Sequence, residues 1–421
     1  MFGTADERTA ALVEALGDPD RLLMEGRPLR QLAPRLLRGF GVAAGQRLQR
    51  LSFVEWFFVR ALVSSTVSRG YAPAPPPHLS YTTWQKLKLI WAAQVLSGNL
   101  QALATSYSAL LDRIERETAS DPEPVDIEVP RLRAADLDPV DFTARFLEQP
   151  MPVVLEGFAT DTVAAKAWNA EYFRERYGEQ KVVIRMQRVE GSSGGAADED
   201  RIGTLADVAD DIFRGESEDG RRRYIHNMKN IFNWHPELLA DLDLYKLRPF
   251  VGKKTKYGGS HLFFGGKKTG TGFHCARSLN FFFMVEGEKS WTLVHPEHTP
   301  FMYPILNTYV ASVASPIGNP KFADRDFTLY RRIPKYRAHL KPGDVLMNPP
   351  WWWHEVQNLT PSTIAVATRW FGDMQARAGN VLFDALQTTR LWTLWHEAKV
   401  HAGLRLDALP GDAFLVPRRS Y

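Results

Sequence analysis

The chain has 421 residues, enough for two or three domains and at least one large core. Its 44% apolar and 24% charged residues are ordinary for a globular protein, and the net charge of +4 is a small difference between 52 basic and 48 acidic residues, which excludes a nucleic-acid-binding signature. The single cysteine, Cys275, excludes an internal disulfide and fits a reducing compartment; with the polar opening "MFGTADERTA" and no apolar segment behind it, a cytoplasmic protein is expected.

The chain reads as helical to about residue 120. The stretches 51–63 and 87–104 are its most apolar, but Glu55 and Arg60 interrupt the first and Gln94, Asn99 and Gln101 the second. Neither supplies the roughly 20 apolar residues of a membrane span, so none is expected, and 51–63 reads as a buried core helix. "YAPAPPPH" (71–78) is a stiff extended connector. From 80 to 117 apolar residues recur at three- and four-residue spacing behind a Ser/Thr-rich start that can cap a first turn. The proline-punctuated stretch 118–130 is a domain boundary. This predicts a helical N-terminal region over 1–125, a β-barrel domain over 126–375 and a helical extension over 376–421.

Beyond the boundary the pattern changes to short β-branched and aromatic runs. "PMPVVLEGF" and "KVVIRMQRV" predict strands, with a short glycine-ended helix, "KAWNAEYFRERYG", between them. "GSSGGAADED" (191–200) is a flexible loop. From about 250 to 372 come "HLFFGG", "SLNFFFMVEG", "KSWTLVHP", "DVLMNPP", "HEVQNL" and "STIAVATRWF", a spacing that predicts a mainly β protein built as an antiparallel barrel or sandwich.

Chemistry concentrates in two blocks. In "GTGFHCARSLNFFF" (270–283), read as one extended strand, His274, Ala276, Ser278, Asn280 and Phe282 share a face. Eighty residues on, "KPGDVLMNPPWWWHEVQN" places Trp352, His354 and Val356 on one face and Glu355 on the other. Two neutral imidazoles from neighbouring barrel strands are two thirds of a facial metal site of the kind used by non-haem Fe(II) oxygenases. A lysine inside the same barrel, Lys289, suits a dicarboxylate.

Residues from about 128 to 372 resemble the JmjC/cupin-like family of Fe(II)/2-oxoglutarate oxygenases, the group that contains the asparaginyl hydroxylase of hypoxia-inducible factor. "VPRLRAADLDPVDFTARFLEQPMPVVLEGF" is similar to that family's lead-in, "GTGFHCARSLNFFFMVEGEKSWTLVHPEHTPFMYP" to its first metal strand, lysine strand and Pro turn, and "LKPGDVLMNPPWWWHEVQNLTPSTIAVATRWF" to its second metal strand. The resemblance implies a double-stranded β-helix (jelly roll) that uses Fe(II), 2-oxoglutarate and O2. It implies His274 and His354 as metal ligands, Lys289 as the grip on the distal carboxylate of 2-oxoglutarate, and Thr271 and Tyr224 as supporting hydroxyls. Asn280 lines the co-substrate pocket by the same resemblance.

The family pattern is His-x-Asp/Glu, and here it is His274-Cys275-Ala276. Three readings follow. Chloride or another halide takes the position that a methyl group cannot fill, as in halogenases of this superfamily with His-x-Ala or His-x-Gly. Alternatively the barrel is a pseudoenzyme that binds a partner without redox chemistry. In the third reading a carboxylate arrives from elsewhere, Glu286 or Glu355 being nearest in sequence, and the chain is a hydroxylase. Cys275 points to the opposite face and reads as a small buried residue.

Of the "WWWH" cluster, Trp351 and Trp353 read as packing residues and Trp352 as pocket wall, with Phe282 and Arg369 also assigned to the substrate pocket. Arg369 stands two residues from Ala367 on the same face. Lysines 253, 254, 256, 267 and 268 read as solvated loop residues, and His295, His298 and His339 as surface or capping residues. The substrate is expected to be a small molecule, free or carrier-bound. The N-terminal region covers the barrel mouth, docks a partner or makes a homodimer.

Overall fold

Strand residues Leu279–Glu286, LNFFFMVE, are apolar at nearly every position, and such a run is stable only when both faces of the strand are covered. In a computed structural model that is their environment. The structure describes residues 104–371 apart from 122–123, 149, 189–198, 215–220, 253–254, 304–311 and 320–325, together with Ser80, Thr83 and Lys86. The readings of 1–79 and of the tail beyond 371 lie outside the described residues. Among the described residues no helix is long and apolar enough to cross a membrane.

The described strands are β1 (Ile127–Glu128), β2 (Arg131–Arg133), β3 (Val153–Glu156), β4 (Lys181–Arg188), β5 (Glu199–Thr204), β6 (Arg221–Met228), β7 (Lys256–Gly265), β8 (Gly270–Ala276), β9 (Leu279–Glu286), β10 (Lys289–Val294), β11 (Ser312–Ala314), β12 (Tyr336–Leu340), β13 (Val345–Asn348), β14 (Trp353–Asn358) and β15 (Thr363–Phe371). They form a six-stranded sheet, β1-β12-β10-β14-β8-β11, and a nine-stranded sheet, β2-β3-β13-β9-β15-β7-β6-β4-β5. From β8 to β10 and again from β12 to β15 the chain alternates between the two sheets, the mainly β jelly-roll architecture that the sequence predicts.

Alternation along the strands sorts the apolar side chains into three clusters. Phe282 and Met284 of β9, Trp291 and Leu293 of β10, Val356 of β14, and Ala365 and Ala367 of β15 meet in the barrel interior. Phe281 and Phe283 point the other way, into the layer where the nine-stranded sheet packs against α2 (Ala170–Tyr177) and α3 (Leu205–Arg214). Phe273, Cys275, Trp351 and Trp353 fill the outer face of the six-stranded sheet against Leu110 and Ile114 of α1 (Ala104–Glu117).

Local signals start the helices. Asn169 caps α2 by accepting from Tyr172 N at 2.8 Å. Thr204 and Asp207 form a reciprocal box before α3, with Asp207 N on Thr204 Oγ1 at 3.2 Å and Thr204 N on Asp207 Oδ2 at 2.7 Å.

Three expectations are corrected. Ser80 N donates to Glu117 Oε2 at 3.0 Å, whereas one continuous helix would hold these residues about 55 Å apart, so Ser80 and Glu117 do not lie on one helix. The stretch 270–283 is two strands: Ala276 O accepts the Trp351 N–H at 2.7 Å, the chain bends at Arg277–Ser278, and β8 and β9 enter different sheets. His295 and His298 are buried, the former 4.9 Å from the Trp352 ring and the latter 6.2 Å from that of Phe301.

Gly287 turns the chain from β9 into β10 at φ +74°, and a Cβ there would stand 2.1 Å from Ser362 O. Gly287→Ala combines a left-handed backbone with overlap on a fixed carbonyl and is expected to destabilise the fold by ~2 kcal/mol or more, read from denaturant unfolding. Wild-type stability in that variant would contradict the turn geometry.

Candidate active site

The site begins with the ladder between β8 and β14. His274 lies directly opposite His354, and their imidazole centroids are 4.2 Å apart. Each ring is held through Nδ1: His274 stands 3.0 Å from Gly272 O and His354 2.9 Å from Trp352 O. With Nδ1–H donating to a carbonyl, Nε2 carries the lone pair in both, the tautomer a metal ligand needs. The Asn348 amide is 3.1 Å from His354 Nδ1, and Trp291 stacks on the His354 ring at 5.2 Å. Burial lowers the pKa of His274 to about 4; burial together with the neighbouring His274 and Arg369 lowers that of His354 well below the usual value. Both are neutral near pH 7.

A bulge next to this pair decides where Thr271 points. His354 pairs with His274 but Val356 pairs with Thr271, so Gly272 and Phe273 together face Glu355. Thr271 is an odd number of residues from His274, and strict alternation would turn it outward. The extra residue turns it inward, where its side chain hydrogen-bonds Tyr224 of β6. Tyr224 is fully buried opposite Gly265; burial raises its pKa and keeps the phenol protonated.

Lys289 opens β10 opposite Asn358 and donates to Asn358 Oδ1. Asn358 Nδ2 in turn donates to Thr269 Oγ1 at 2.8 Å. The ammonium lies 5.7 Å from the Tyr224 ring centroid and 5.9 Å from that of Phe282. Lys289 is completely buried, and among the described residues it has no carboxylate partner; burial lowers its pKa to about 7. Asn358 stands four positions beyond His354 on β14, about 13 Å at the rise of an extended strand. Lys289 and the histidine pair therefore mark two ends of one interior space.

Asn280 of β9 faces this space from the opposite sheet, across the ladder from Asn348 and Arg369, and its Oδ1 is buried without a partner. Arg369 bears on both histidines electrostatically, and burial lowers its own pKa to about 10. Phe282 packs edge-on against Trp291 at 4.9 Å. Trp352 also lies in the interior, but its Nε1 donates to Pro150 O at 3.0 Å and its ring packs on His295 and Tyr336, so it is sealed into the core.

Ala276 sits two residues beyond His274 on the same face, half-buried, opposite Ser312 of β11. Cys275 faces the outer cluster, its thiol raised by burial. Glu355 faces out toward Thr292 and Arg337. Glu286, at the end of β9, lies near Ser362 and the Ala170 backbone, away from the histidine pair, and burial raises its pKa. Among the described residues no set of three His, Cys, Asp or Glu side chains gathers around one point. The donor set that fits a metal is thus two imidazoles beside a small apolar residue.

Sequence reasoning missed Trp291, Asn358 and Asn348. The first has a signal, because it stands two residues from Lys289 on the same strand face. The other two carry none, since their roles arise from cross-strand partners.

A jelly-roll barrel with a pair of interior histidines on adjacent strands has the architecture of a cupin-like protein. The chain belongs to the Cupin-like domain family, whose model matches residues 139–376. HSPB1-associated protein 1 of Homo sapiens is 39% identical over 90 residues, 21% of this chain and 18% of that protein. Jumonji C domain-containing protein 5 of Drosophila melanogaster is 24% identical over 285 residues, 66% of this chain and 67% of that protein. Arginine-specific demethylase JMJ20 of Arabidopsis thaliana is 21% identical over 278 residues, 58% and 57% of the two chains. The matches to the HSPB1-associated proteins cover about a fifth of those relatives' length.

The buried ammonium of Lys289 makes a stability prediction. Between a folded pKa of about 7 and an unfolded one near 10.5, the unfolded chain keeps a proton that the folded chain has lost. Stability therefore rises with pH through that window, and the burial cost is complete below pH 7. Lys289→Met is expected to be more stable than wild type at pH 6.5, by an advantage that narrows by ~3 kcal/mol at pH 9.5. Denaturant unfolding of both proteins at both pH values reads this difference of differences; an advantage that holds constant or widens would refute the buried charge.

Proposed function

We propose that this chain is an Fe(II)/2-oxoglutarate-dependent enzyme acting on an unactivated C–H bond of a small-molecule or carrier-bound substrate, with chloride completing the iron site beside Ala276. The observation that carries this reading is the charge pattern. Two neutral imidazoles share the interior with two cations, buried Lys289 and half-buried Arg369, and among the described residues no carboxylate joins them. An interior so charged favours anions, both a dicarboxylate and a halide. Membership of the cupin-like family and the Jumonji C relatives support the Fe(II)/2-oxoglutarate oxygenase superfamily as the class.

His274 and His354 would hold the iron through Nε2. Bound iron, with O2 and 2-oxoglutarate, supplies the oxidising power that breaks the C–H bond, and the co-substrate leaves as succinate and carbon dioxide. Lys289 pairs with the distal carboxylate, and Thr271 and Tyr224 offer hydroxyl hydrogen bonds to it. Asn280 lines the same space, while Phe282 and Trp291 exclude water from it. Ala276 supplies no charge and leaves space, so that a halide takes the place of a carboxylate. In sum, C–H, chloride and a proton, with O2 and 2-oxoglutarate, become C–Cl, water, succinate and carbon dioxide.

Anaerobic titration with Fe(II) and 2-oxoglutarate is expected to give a metal-to-ligand charge-transfer band that shifts on adding chloride. Ala276→Asp should abolish the chloride response and redirect turnover toward hydroxylation, monitored by product mass. Chloride-independent hydroxylation by the wild type would refute the halide assignment while leaving the enzyme class intact; absence of iron binding would leave a binding module.

Lys289 also sets a pH dependence. Its charged form, which grips the dicarboxylate, is lost as pH rises through about 7. The apparent affinity for 2-oxoglutarate is expected to fall ~20-fold between pH 6.5 and 8.5, measured calorimetrically with Mn(II) in place of iron. A flat profile would remove Lys289 from the carboxylate grip.

A further inference from the structure

The interior holds more cationic and hydrogen-bonding capacity than the iron and 2-oxoglutarate sites use. We propose that Arg369 and His261 form a separate substrate-recognition subsite, selecting a small substrate that carries a carboxylate and, next to it, a hydroxyl or N–H donor. This names the substrate class of the enzyme proposed above and rests on that reading for its catalytic meaning, though not for its binding chemistry.

Geometry places the two residues together. Ala365 and Ala367 of β15 point into the barrel, so Arg369, two residues further, points the same way. On the neighbouring strand His261 pairs with Ala367 and Arg369 with Gly259, which makes His261 and Arg369 diagonal neighbours on one face, within reach of a long side chain. Phe263, two residues from His261, lies in the interior cluster and confirms the face. Small residues at Gly259, Ala365 and Ala367 leave the wall low around them.

Both side chains are incompletely partnered. Arg369 has no carboxylate among the described residues, although it is half-buried and carries a planar fork of donors suited to a carboxylate. His261 is 5% exposed; its ring lies by the backbone of Ala367, its cross-strand partner, and Nδ1 is buried with no hydrogen-bond partner. Burial and the nearby charges of Lys229, Arg369 and His226 hold the ring neutral, and a neutral imidazole keeps one of its nitrogens as an acceptor. A half-buried donor fork beside a buried acceptor is complementary to an acid with an adjacent donor, as in a 2-hydroxy acid or an N-acyl amino acid. Phe263, Phe282 and Trp291, packed ring on ring nearby, provide an aromatic floor for its carbon skeleton.

The test uses 3-phenyllactate as probe, with 3-phenylpropionate lacking the hydroxyl, 3-phenylpropane-1,2-diol lacking the carboxylate, and phenyl phosphate as the rival anion. Calorimetric binding is measured on the full chain, metal-free and again with Mn(II) and saturating 2-oxoglutarate. Wild type is expected to prefer 3-phenyllactate under both conditions, with 2-oxoglutarate changing its affinity by less than about twofold. Arg369→Gln should weaken it at least tenfold and Arg369→Lys by less, because the charge stays and the fork is lost. His261→Phe should erase the preference for phenyllactate over phenylpropionate while leaving phenylpropionate affinity unchanged, which a misfolded variant would not do. Equal binding by wild type and Arg369→Gln, displacement of the probe by 2-oxoglutarate, stronger binding of phenyl phosphate, or no binding up to ~10 mM would each overturn the subsite. If iron and 2-oxoglutarate fail to bind while the Arg369 effect persists in metal-free protein, the subsite stands and the enzyme reading falls.

Discussion

The bulged ladder between β8 and β14 is the constraint on which the rest of the site depends. Direct pairing brings His274 and His354 face to face, and the one-residue slip beyond them turns Thr271 inward to Tyr224. Without the bulge either the histidines or the threonine would face the outer cluster, because a strand has only two faces. Gly272 sits at this slip with open space around it, and its carbonyl orients His274. Packing on the outer face holds the ladder in place: Phe273, Cys275 and Trp353 alternate with the functional residues and anchor them against α1.

A second organising feature is electrostatic. Lys289 and Arg369 are enclosed without carboxylates, and each loses stability to desolvation that no described ion pair offsets. Two inward-leaning charges outside the barrel are paired in the ordinary way. Arg131 reaches buried Asp344 at 2.7 Å, and Arg185 meets Asp200 at 3.1 Å. Paired charges at the periphery thus contrast with unpaired ones in the barrel. Ala276 belongs to the same pattern, since a carboxylate there would have supplied the missing counter-charge.

Much of this was legible in residue order. Apolar runs between turn residues predict β3, β4, β7, β9, β10, β13, β14 and β15, and strand parity separates His354 from Glu355 and Trp352 from Trp353. The box at Thr204 and Asp207 is also a local signal for α3, one that composition alone obscures. Parity failed where the chain left a single strand. Asn280 shares the interior with His274, but from the facing sheet, because the chain bends at Arg277–Ser278. The buried places of His295 and His298 and the hydrogen bond of Ser80 to Glu117 depend on contacts with distant segments.

The sequence by itself determined the class of fold and which residues are candidates for chemistry, because alternation and turn chemistry are local and each strand's two faces follow from residue order. Only the tertiary structure decided which of those residues meet. The pairing register sets His274 against His354, and the bulge turns Thr271 inward. The opposition of two sheets puts Lys289, Asn280 and Arg369 around one space, and that space leaves the cations without carboxylates. Register and sheet opposition are properties of contacts between strands far apart in the chain, and no single strand encodes them.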